Sequence, residues 1–349
     1  MSESSRHATA AARRARTLYR AALLAAGVTA LAVTAVLAVA AHGWIGRPFP
    51  GFFVLPNRVI PSVGLASWAG SADGAVYQRT VVAVDGGRVT HNGDVYRHVE
   101  SLPAGTAITY TLRHGATVET LTLASRTFSP LDYWAIFGSY VLTGLLYVGL
   151  GLVATWRAKD TPLGRALLYL GGVAGIYALS GATLYAPGAD MRLHVLAEAF
   201  LPATLVYLGC VFPRTRGRWG TPVIATAWWL SLALAVPAQL LLHQPAAYSA
   251  LHAACEAYVG LAGLGLGVVL IVERARAGQA ATPLLRAAVA GALLGLGVPA
   301  VVLTLSGLTG GALPVNVCTA TAFLFPLCLG YGLVRDRLGR PVAVPVAAT

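Results

Sequence analysis

Charge is scarce in this chain. Of its 349 residues 11% are charged, against about 25% in an ordinary soluble domain. Lysine is nearly absent: Lys159 is the single one among 25 basic residues, and the acidic residues number 13. With 56% hydrophobic residues and a mean hydropathy of +0.68, the composition excludes a soluble globular chain and points to an integral membrane protein. The net charge of +12 does not point to nucleic acid, because the arginines sit mostly at the ends of apolar runs. Cysteine is sparse too. Cys210, Cys255, Cys318 and Cys328 all fall in apolar segments, with no disulfide framework and no zinc spacing, and are expected to be small buried hydrophobes. No Gly-x-Ser-x-Gly occurs, and neither does a glycine-rich nucleotide box on the side read below as cytoplasmic. No enzyme activity, catalytic residue or cofactor is therefore expected.

What is present is a series of apolar runs. A membrane-spanning helix needs about 20 apolar residues. Eight candidates meet that length: about 19–41, 133–156, 164–185, 191–212, 221–242, 249–272, 284–306 and 312–334. The first follows a basic start, residues 1–18, and its apolar run exceeds the 7–15 residues or so of a signal-peptide core, so it reads as an uncleaved anchor. One polar stretch, 44–128, separates it from a seven-helix bundle over 133–334, and residues 335–349 form a short tail. The expected fold is mainly α: a polytopic membrane helix bundle of about eight spans with a small α+β domain between the first and second.

Basic residues set the expected orientation. Arg6, Arg13, Arg14, Arg16 and Arg20 precede the first span. Arg157, Lys159 and Arg165, then Arg214, Arg216 and Arg218, then Arg274, Arg276 and Arg286, then Arg335, Arg337 and Arg340 group at alternate ends of the later spans. The short loops at the opposite ends hold Arg192 alone. The positive-inside rule puts both termini in the cytoplasm and the polar insert outside.

The insert has its own pattern. TVVAV (80–84) is a short strand, ended by a turn signal at Asp85-Gly86-Gly87. In THNGDVYRHVESL (90–102), Val95, His98, Val99 and Leu102 fall on one face of a short helix, with Asn92 or Asp94 placed to cap it. AITYTLRHG (107–115) and TVETLTL (117–123) alternate as a hairpin turning at His114-Gly115. Strand, Asp-Gly turn, helix and terminal hairpin, in that order, resemble the second half of a PDZ domain. In the first half GFFV (51–54) stands where such a domain has its carboxylate-binding loop, but Tyr77-Gln78-Arg79 replaces the usual Gly-Asp before the strand. If a groove for an added peptide strand exists, the resemblance implies that Gly51, Phe52, Phe53, Val54, Val95, His98 and Val99 line it. The plainer alternative is that these apolar residues pack the small domain's own core.

An anchor, a PDZ-like module and then a helix bundle resemble the membrane sensor regions of certain bacterial histidine kinases, quorum-sensing kinases among them. FSPLDYWAIFGSYVLTGLLYVGLGLVATW (128–156) and the exit segment FPLCLGYGLVRDRL (325–338) carry the likeness along with the order of parts. It implies a bacterial inner (plasma) membrane location and a signal-sensing role. The expected partners are membrane lipid, a peptide or small-molecule signal outside, and a cytoplasmic or membrane kinase. Such kinases continue into phosphoacceptor and ATP-binding domains. This chain ends at Thr349, so only the sensor half is expected, signalling in trans. A small-molecule transporter and an inactive scaffold remain as alternatives. A PDZ-like module on membrane helices is also similar to intramembrane metalloproteases, but these need His-Glu-x-x-His, which HVLAE (194–198) and HAACE (252–256) do not supply.

Those two segments hold the ionisable residues of interest. LHVLAEAF and LHAACEAY repeat, putting His194 and Glu198 one turn apart on the fourth span and His252 and Glu256 one turn apart on the sixth. Carboxylates inside the apolar layer are costly unless paired or wetted. Two imidazoles and two carboxylates together can bind a cationic or polar ligand or a metal such as Zn²⁺, or sense pH through histidine. Alternatively, each pair is a hydrogen bond locking its own helix. No residue is assigned to a metal.

Overall fold

The structure, a computed structural model, describes residues 3–71, 74–158 and 160–336, with side chains from residue 17 onward. Lys159, Arg337, Arg340 and the tail beyond residue 336 lie outside the described residues, as do the side chains of Arg6, Arg13, Arg14 and Arg16.

Eight helices among the described residues are long and apolar enough to cross a membrane, the make-up of a multi-pass membrane protein. They are α1 (Glu3–His42, apolar over Thr17–His42), α3 (Pro130–Ala158), α4 (Pro162–Gly181), α5 (Arg192–Val211), α6 (Gly217–Leu240), α7 (Pro245–Ala280), α8 (Pro283–Leu308) and α9 (Val315–Arg335). A short helix α2 (Asn92–Glu100) lies in the insert. The eight apolar runs thus appear as eight helices, shifted at their ends by a few residues at most positions. α4 and α8 begin alike, with Thr161-Pro162-Leu163 and Thr282-Pro283-Leu284. Each threonine hydroxyl accepts a first-turn N–H, from Gly164 and Leu285, and each proline fills the position where no N–H is needed.

Helices α3 to α5 and α7 to α9 share one core, from Tyr147 and Leu150 through Leu205 and Leu266 to Phe325 and Leu333. α5 packs on α4, α6 and α7, while α9 packs on α8 and returns to α3. α1 stands apart, touching mainly α3, with only 6% of its apolar stretch buried. Close approach makes the α7–α8 contact: a Cβ on Gly307 would lie 2.4 Å from the Ala257 nitrogen and 2.5 Å from the Ala253 carbonyl. Small residues that let backbones meet are the usual means of helix association where lipid surrounds the protein.

The insert is a four-stranded antiparallel sheet with α2 placed between its second and third strands in sequence. Its strands are β2 (Thr80–Val84), β3 (Gly87–Arg88), β4 (Ala107–His114) and β5 (Thr117–Ala124), in the order β3-β2-β4-β5. A separate pair, β1 (Pro48–Phe49) with β6 (Arg126–Thr127), ties together the points where the chain enters and leaves. Asp85 and Gly86 join β2 to β3 with φ of 45° and 78°, the left-handed pair that a two-residue type I′ hairpin turn requires. The β4–β5 turn falls one residue later than the sequence indicates, at Gly115-Ala116, since His114 still pairs with Thr117. Phe52, Val54, Ile60, Val81, Val95, Val99, Ile108 and Tyr110 fill the core between sheet and α2.

Asp94, not Asn92, serves the start of α2. Its carboxylate accepts from the Thr90 N–H at 2.9 Å, the Thr90 hydroxyl at 2.8 Å and the His91 N–H at 3.2 Å. Burial opposes its ionisation, but the hydrogen bonds from Thr90 and His91 outweigh burial and lower its pKa from 3.8 to about 2. A depressed acid stabilises the fold fully above its unfolded pKa, and that stabilisation is lost as pH falls through the folded value. The insert therefore loses stability between pH 3.8 and about 2. Asp94→Asn flattens that part of an acid titration followed by far-UV circular dichroism; an unchanged titration contradicts the assignment.

Asn92 has another use. Its amide, 1% exposed, donates to the Val54 carbonyl at 3.2 Å and to the Tyr185 and Ala186 carbonyls of the α4–α5 loop at 3.2 and 3.3 Å. It is one of several bonds between insert and bundle. Asn57 donates to the Leu242 carbonyl in the α6–α7 loop at 2.9 Å. At the α8–α9 connection, the Ser62 hydroxyl donates to the Gly311 carbonyl of the loop, and in the first turn of α9 the Val315 N–H donates to the Ser62 carbonyl at 2.7 Å and Asn316 Oδ1 accepts from the Gly64 N–H at 3.0 Å. All three loops at this end of the bundle are thus bonded to the insert. An apolar cluster runs through the same junction: Phe49, Phe53, Leu55, Val63 and Trp68 of the insert with Phe137, Tyr140, Tyr185, Val195 and Tyr248 of the bundle.

Candidate functional site

The site lies in α5 and α7, just below that junction. His194 and Glu198 lie in the first two turns of α5, and His252 and Glu256 in the third and fourth turns of α7. In α5, Pro202 stands four residues after Glu198 and has no N–H to give its carbonyl, so the helical ladder is interrupted at the carboxylate-bearing turn. Of the two pairs expected at i, i+4, His252 and Glu256 come together and His194 and Glu198 do not. Glu198 reaches across to the other helix, where its Oε1 lies 2.7 Å from His252 Nδ1. His252 Nε2 lies 3.2 Å from Glu256 Oε1, one turn along α7. One imidazole thus sits between two carboxylates from two helices. Glu198 and Glu256 are 3% and 1% exposed.

The approach is electrostatic rather than well-aligned hydrogen bonding. Glu198 Oε1, His252 Nδ1 and both Glu256 oxygens have no hydrogen-bond partner, although a buried carboxylate is ordinarily bonded through both oxygens. The His252 ring stacks on Tyr248 at 5.6 Å between centroids and 7° between planes. Tyr140, Tyr177, Tyr248, Cys255 and Cys318 lie within electrostatic reach of Glu198 or Glu256. The result is a buried cluster of two carboxylates and one imidazole, with tyrosine and cysteine side chains around it.

His194 belongs to a different arrangement. It turns away from Glu198 to the last turn of α4, where Nδ1 meets the Tyr177 carbonyl at 3.1 Å and the Ser180 hydroxyl at 3.0 Å. A carbonyl can only accept, so Nδ1 carries the proton. The ring stacks on Tyr177 at 4.5 Å. The hydrogen bond between His194 and Glu198 expected from i, i+4 spacing is absent, because α4 offers His194 an acceptor and an aromatic face. Among the described residues no group of three or more His, Cys, Asp or Glu has the geometry of a metal site.

Residues named for a peptide groove are placed as follows. Phe52, Phe53, Val54, Val95 and Val99 are fully buried, and Gly51 is buried with them. Phe52, Val54, Val95 and Val99 pack the core of the insert, whereas Phe53 points into the junction and stacks on Tyr185 at 4.2 Å. The Val54 backbone is occupied: its N–H donates to the Tyr96 hydroxyl at 2.7 Å, and that hydroxyl donates to its carbonyl at 3.2 Å. Burial raises the Tyr96 phenol above its ordinary 10, so it stays a donor. Residues 51–54 form no strand, and the space between them and α2 is filled. His98 is half-exposed and pairs with Asp85 at 2.7 Å. Hydrogen bonds from the Thr109 N–H and from His98 hold that carboxyl below its usual range.

Sequence reasoning passed over Asn57, Ser62, Asn92 as an anchor, and Glu273. Glu273, 6% exposed near the far end of α7, is shared by Arg214, Arg216 and Arg276 at 3.1 to 3.5 Å. Its lone acid among clustered arginines is the signal that marks it.

No protein-family model matches the chain, and neither a curated protein nor a solved structure matches it.

Proposed function

We propose that this chain is a membrane signal-sensing module, similar to the sensor half of a bacterial histidine kinase and acting on a kinase partner in trans. In this reading both termini are cytoplasmic in a plasma (inner) membrane, and the insert is an extracytoplasmic PDZ-like receiver. It has no catalytic activity of its own. The strand order and the position of α2 support the PDZ-like description. The observation that carries the reading is the docking of the insert on all three bundle loops, directly over a buried charged cluster.

Such an arrangement gives a ligand two states to choose between. An insert held by hydrogen bonds and ring stacking cannot shift without moving the loops to which it is bonded, and packed interfaces of this kind are bistable rather than elastic. Phe53 stacks on Tyr185, Tyr185 interacts with Tyr140, and Tyr140 lies in the field of His252 and Glu256. The change would leave along α9, which carries Arg335 at its far end.

Three carboxylate oxygens without a hydrogen-bond partner inside the spans favour a second reading, a small-molecule transporter using Glu198, His252 and Glu256. Transcript profiling of host cells separates the two. A sensor with Glu198→Gln and Glu256→Gln changes a defined set of transcripts, and removing residues 50–125 changes the same set. A transporter instead keeps some solute flux without the insert. Wild-type transcript levels in both variants contradict the sensing reading.

A further inference from the structure

The contact between Glu198, His252 and Glu256 joins α5 to α7, and its charges do not balance. Glu198 Oε1 stands 2.7 Å from His252 Nδ1, and Glu256 Oε1 stands 3.2 Å from Nε2. A bare ring nitrogen facing an ionised oxygen would set lone pair against lone pair, so each of the two gaps needs a proton. With both protons on the ring, one imidazolium stands against two carboxylates. With one of them moved to a carboxyl, a neutral ring and a neutral acid leave the other carboxylate bare. Either way one negative charge is left over, on groups 3% and 1% exposed inside two membrane-spanning helices. A buried charge of that kind is too costly to stay uncompensated.

Among the described residues no neighbouring element sets a fixed cation against it. Tyr140 of α3, Tyr177 of α4, Tyr248 and Cys255 of α7 and Cys318 of α9 face the cluster, and phenols and thiols are neutral in their ordinary state. His194 of α5 faces it too, but its Nδ1 proton goes to the Tyr177 carbonyl and its ring lies on Tyr177. In the halves of α6 and α8 nearest the insert, residues 228–240 and 297–308, no side chain titrates. The oxygens are open to a proton: Glu198 Oε1 and both Glu256 oxygens are sealed from solvent and accept no well-formed hydrogen bond.

We propose that Glu198, His252 and Glu256 form a proton-binding site, whose occupied form is one imidazolium, one carboxylate and one carboxylic acid. The added proton comes from water and returns to it. It belongs to the two carboxyl groups jointly, since groups this close titrate together. Its uptake makes the cluster neutral and holds α5 to α7; its loss leaves one acid in excess where the two helices meet. This deepens the sensing reading and rests on it for the consequence of binding, not for binding itself. The change of charge acts on Tyr140, which bonds to Tyr185, on which Phe53 of the insert stacks.

The test is infrared spectroscopy of the full chain in dodecyl maltoside, a detergent without a carbonyl group. A buried carboxylic acid gives a C=O stretch above the amide band that moves down in deuterium oxide, and ionised carboxylates give none there. The wild-type chain shows this band at neutral pH and loses it as the pH is raised, before the helices unfold. Glu198→Gln and Glu256→Gln each abolish it, because an imidazolium and one carboxylate already balance. Glutamine keeps the shape of the side chain, and far-UV circular dichroism checks that both variants are folded. A wild-type spectrum without the band at neutral pH, a band that either variant keeps, or a band unchanged up to alkaline unfolding overturns the proposal. A band that behaves as described, with wild-type transcript levels in the double variant, supports the site and contradicts sensing, so the two failures are distinguishable.

Discussion

Replacing His252 with alanine lowers the stability of the detergent-solubilised chain by about 3–5 kcal/mol, the cost of removing one partner from a buried charge cluster. The imidazole lies between Glu198 and Glu256, at 2.7 and 3.2 Å, and among the described residues no arginine pairs with either carboxylate. Taking the ring away leaves two acids facing each other inside the apolar layer, with the Glu256 oxygens already unbonded. The effect comes from stranded charge rather than from lost contacts, so it is reversible by design. His252→Ala combined with Glu198→Gln and Glu256→Gln recovers most of the loss, because replacing a whole buried ionic group is far cheaper than breaking it. Thermal unfolding followed by a thiol-reactive dye on the buried cysteines reads both. A single variant as stable as the wild type, or a triple variant no better than the single, contradicts this description of the cluster. His194→Ala loses only its bonds to α4 and costs less, which separates the two histidines that look equivalent in the sequence.

Phe53→Ala costs about 3–5 kcal/mol, the usual range for emptying a fully buried phenylalanine site. Its ring is stacked on Tyr185 and stands edge-on to Phe49 at 5.2 Å and to Trp68 at 5.3 Å, between the insert and the bundle. The cavity opens in the junction and not in the core of either part. The expected outcome is therefore an insert that comes loose before it unfolds. Limited proteolysis cuts the variant between the end of α1 and the start of α3 while α3 to α9 remain intact. Val118→Ala, on the exposed edge strand β5 with a side chain 57% exposed, leaves the cleavage pattern unchanged. Equal resistance of Phe53→Ala and wild type contradicts the role given to Phe53.

Much of the architecture is written plainly in the chain. A bilayer sets a minimum length for every span, so apolar runs such as 284–306 mark a helix whatever it packs against, and α8 covers Pro283–Leu308. The hairpin strands and the Asp85-Gly86 turn are equally local, since alternation and left-handed backbone are properties of a few adjacent residues. The site is less legible. Spacing of four residues puts His194 and Glu198 on one face of α5, but which neighbour each meets depends on the helices beside it. His194 finds Tyr177 in α4, and Glu198 finds His252 in α7. Asn92 shows the same limit. Its place at the start of a helix suggests a cap, yet two carbonyls of the α4–α5 loop take its amide. Residues 55–79 have no periodicity to read, and they hold Asn57 and Ser62, which bond to the bundle loops.

The central claim is that insert and bundle move as one body. Hydrogen–deuterium exchange of the full chain in nanodiscs tests it most directly, at the peptides covering residues 55–65 and 311–318. These carry the Gly64 N–H bonded to Asn316 and the Val315 N–H bonded to Ser62. Docking as described makes both peptides exchange as slowly as the ends of the helices they border, and Asn57→Ala with Asn92→Ala speeds both together. Exchange of both peptides within seconds in the wild-type chain, with the helices still protected, would mean that the insert is tethered rather than docked, and would contradict the account.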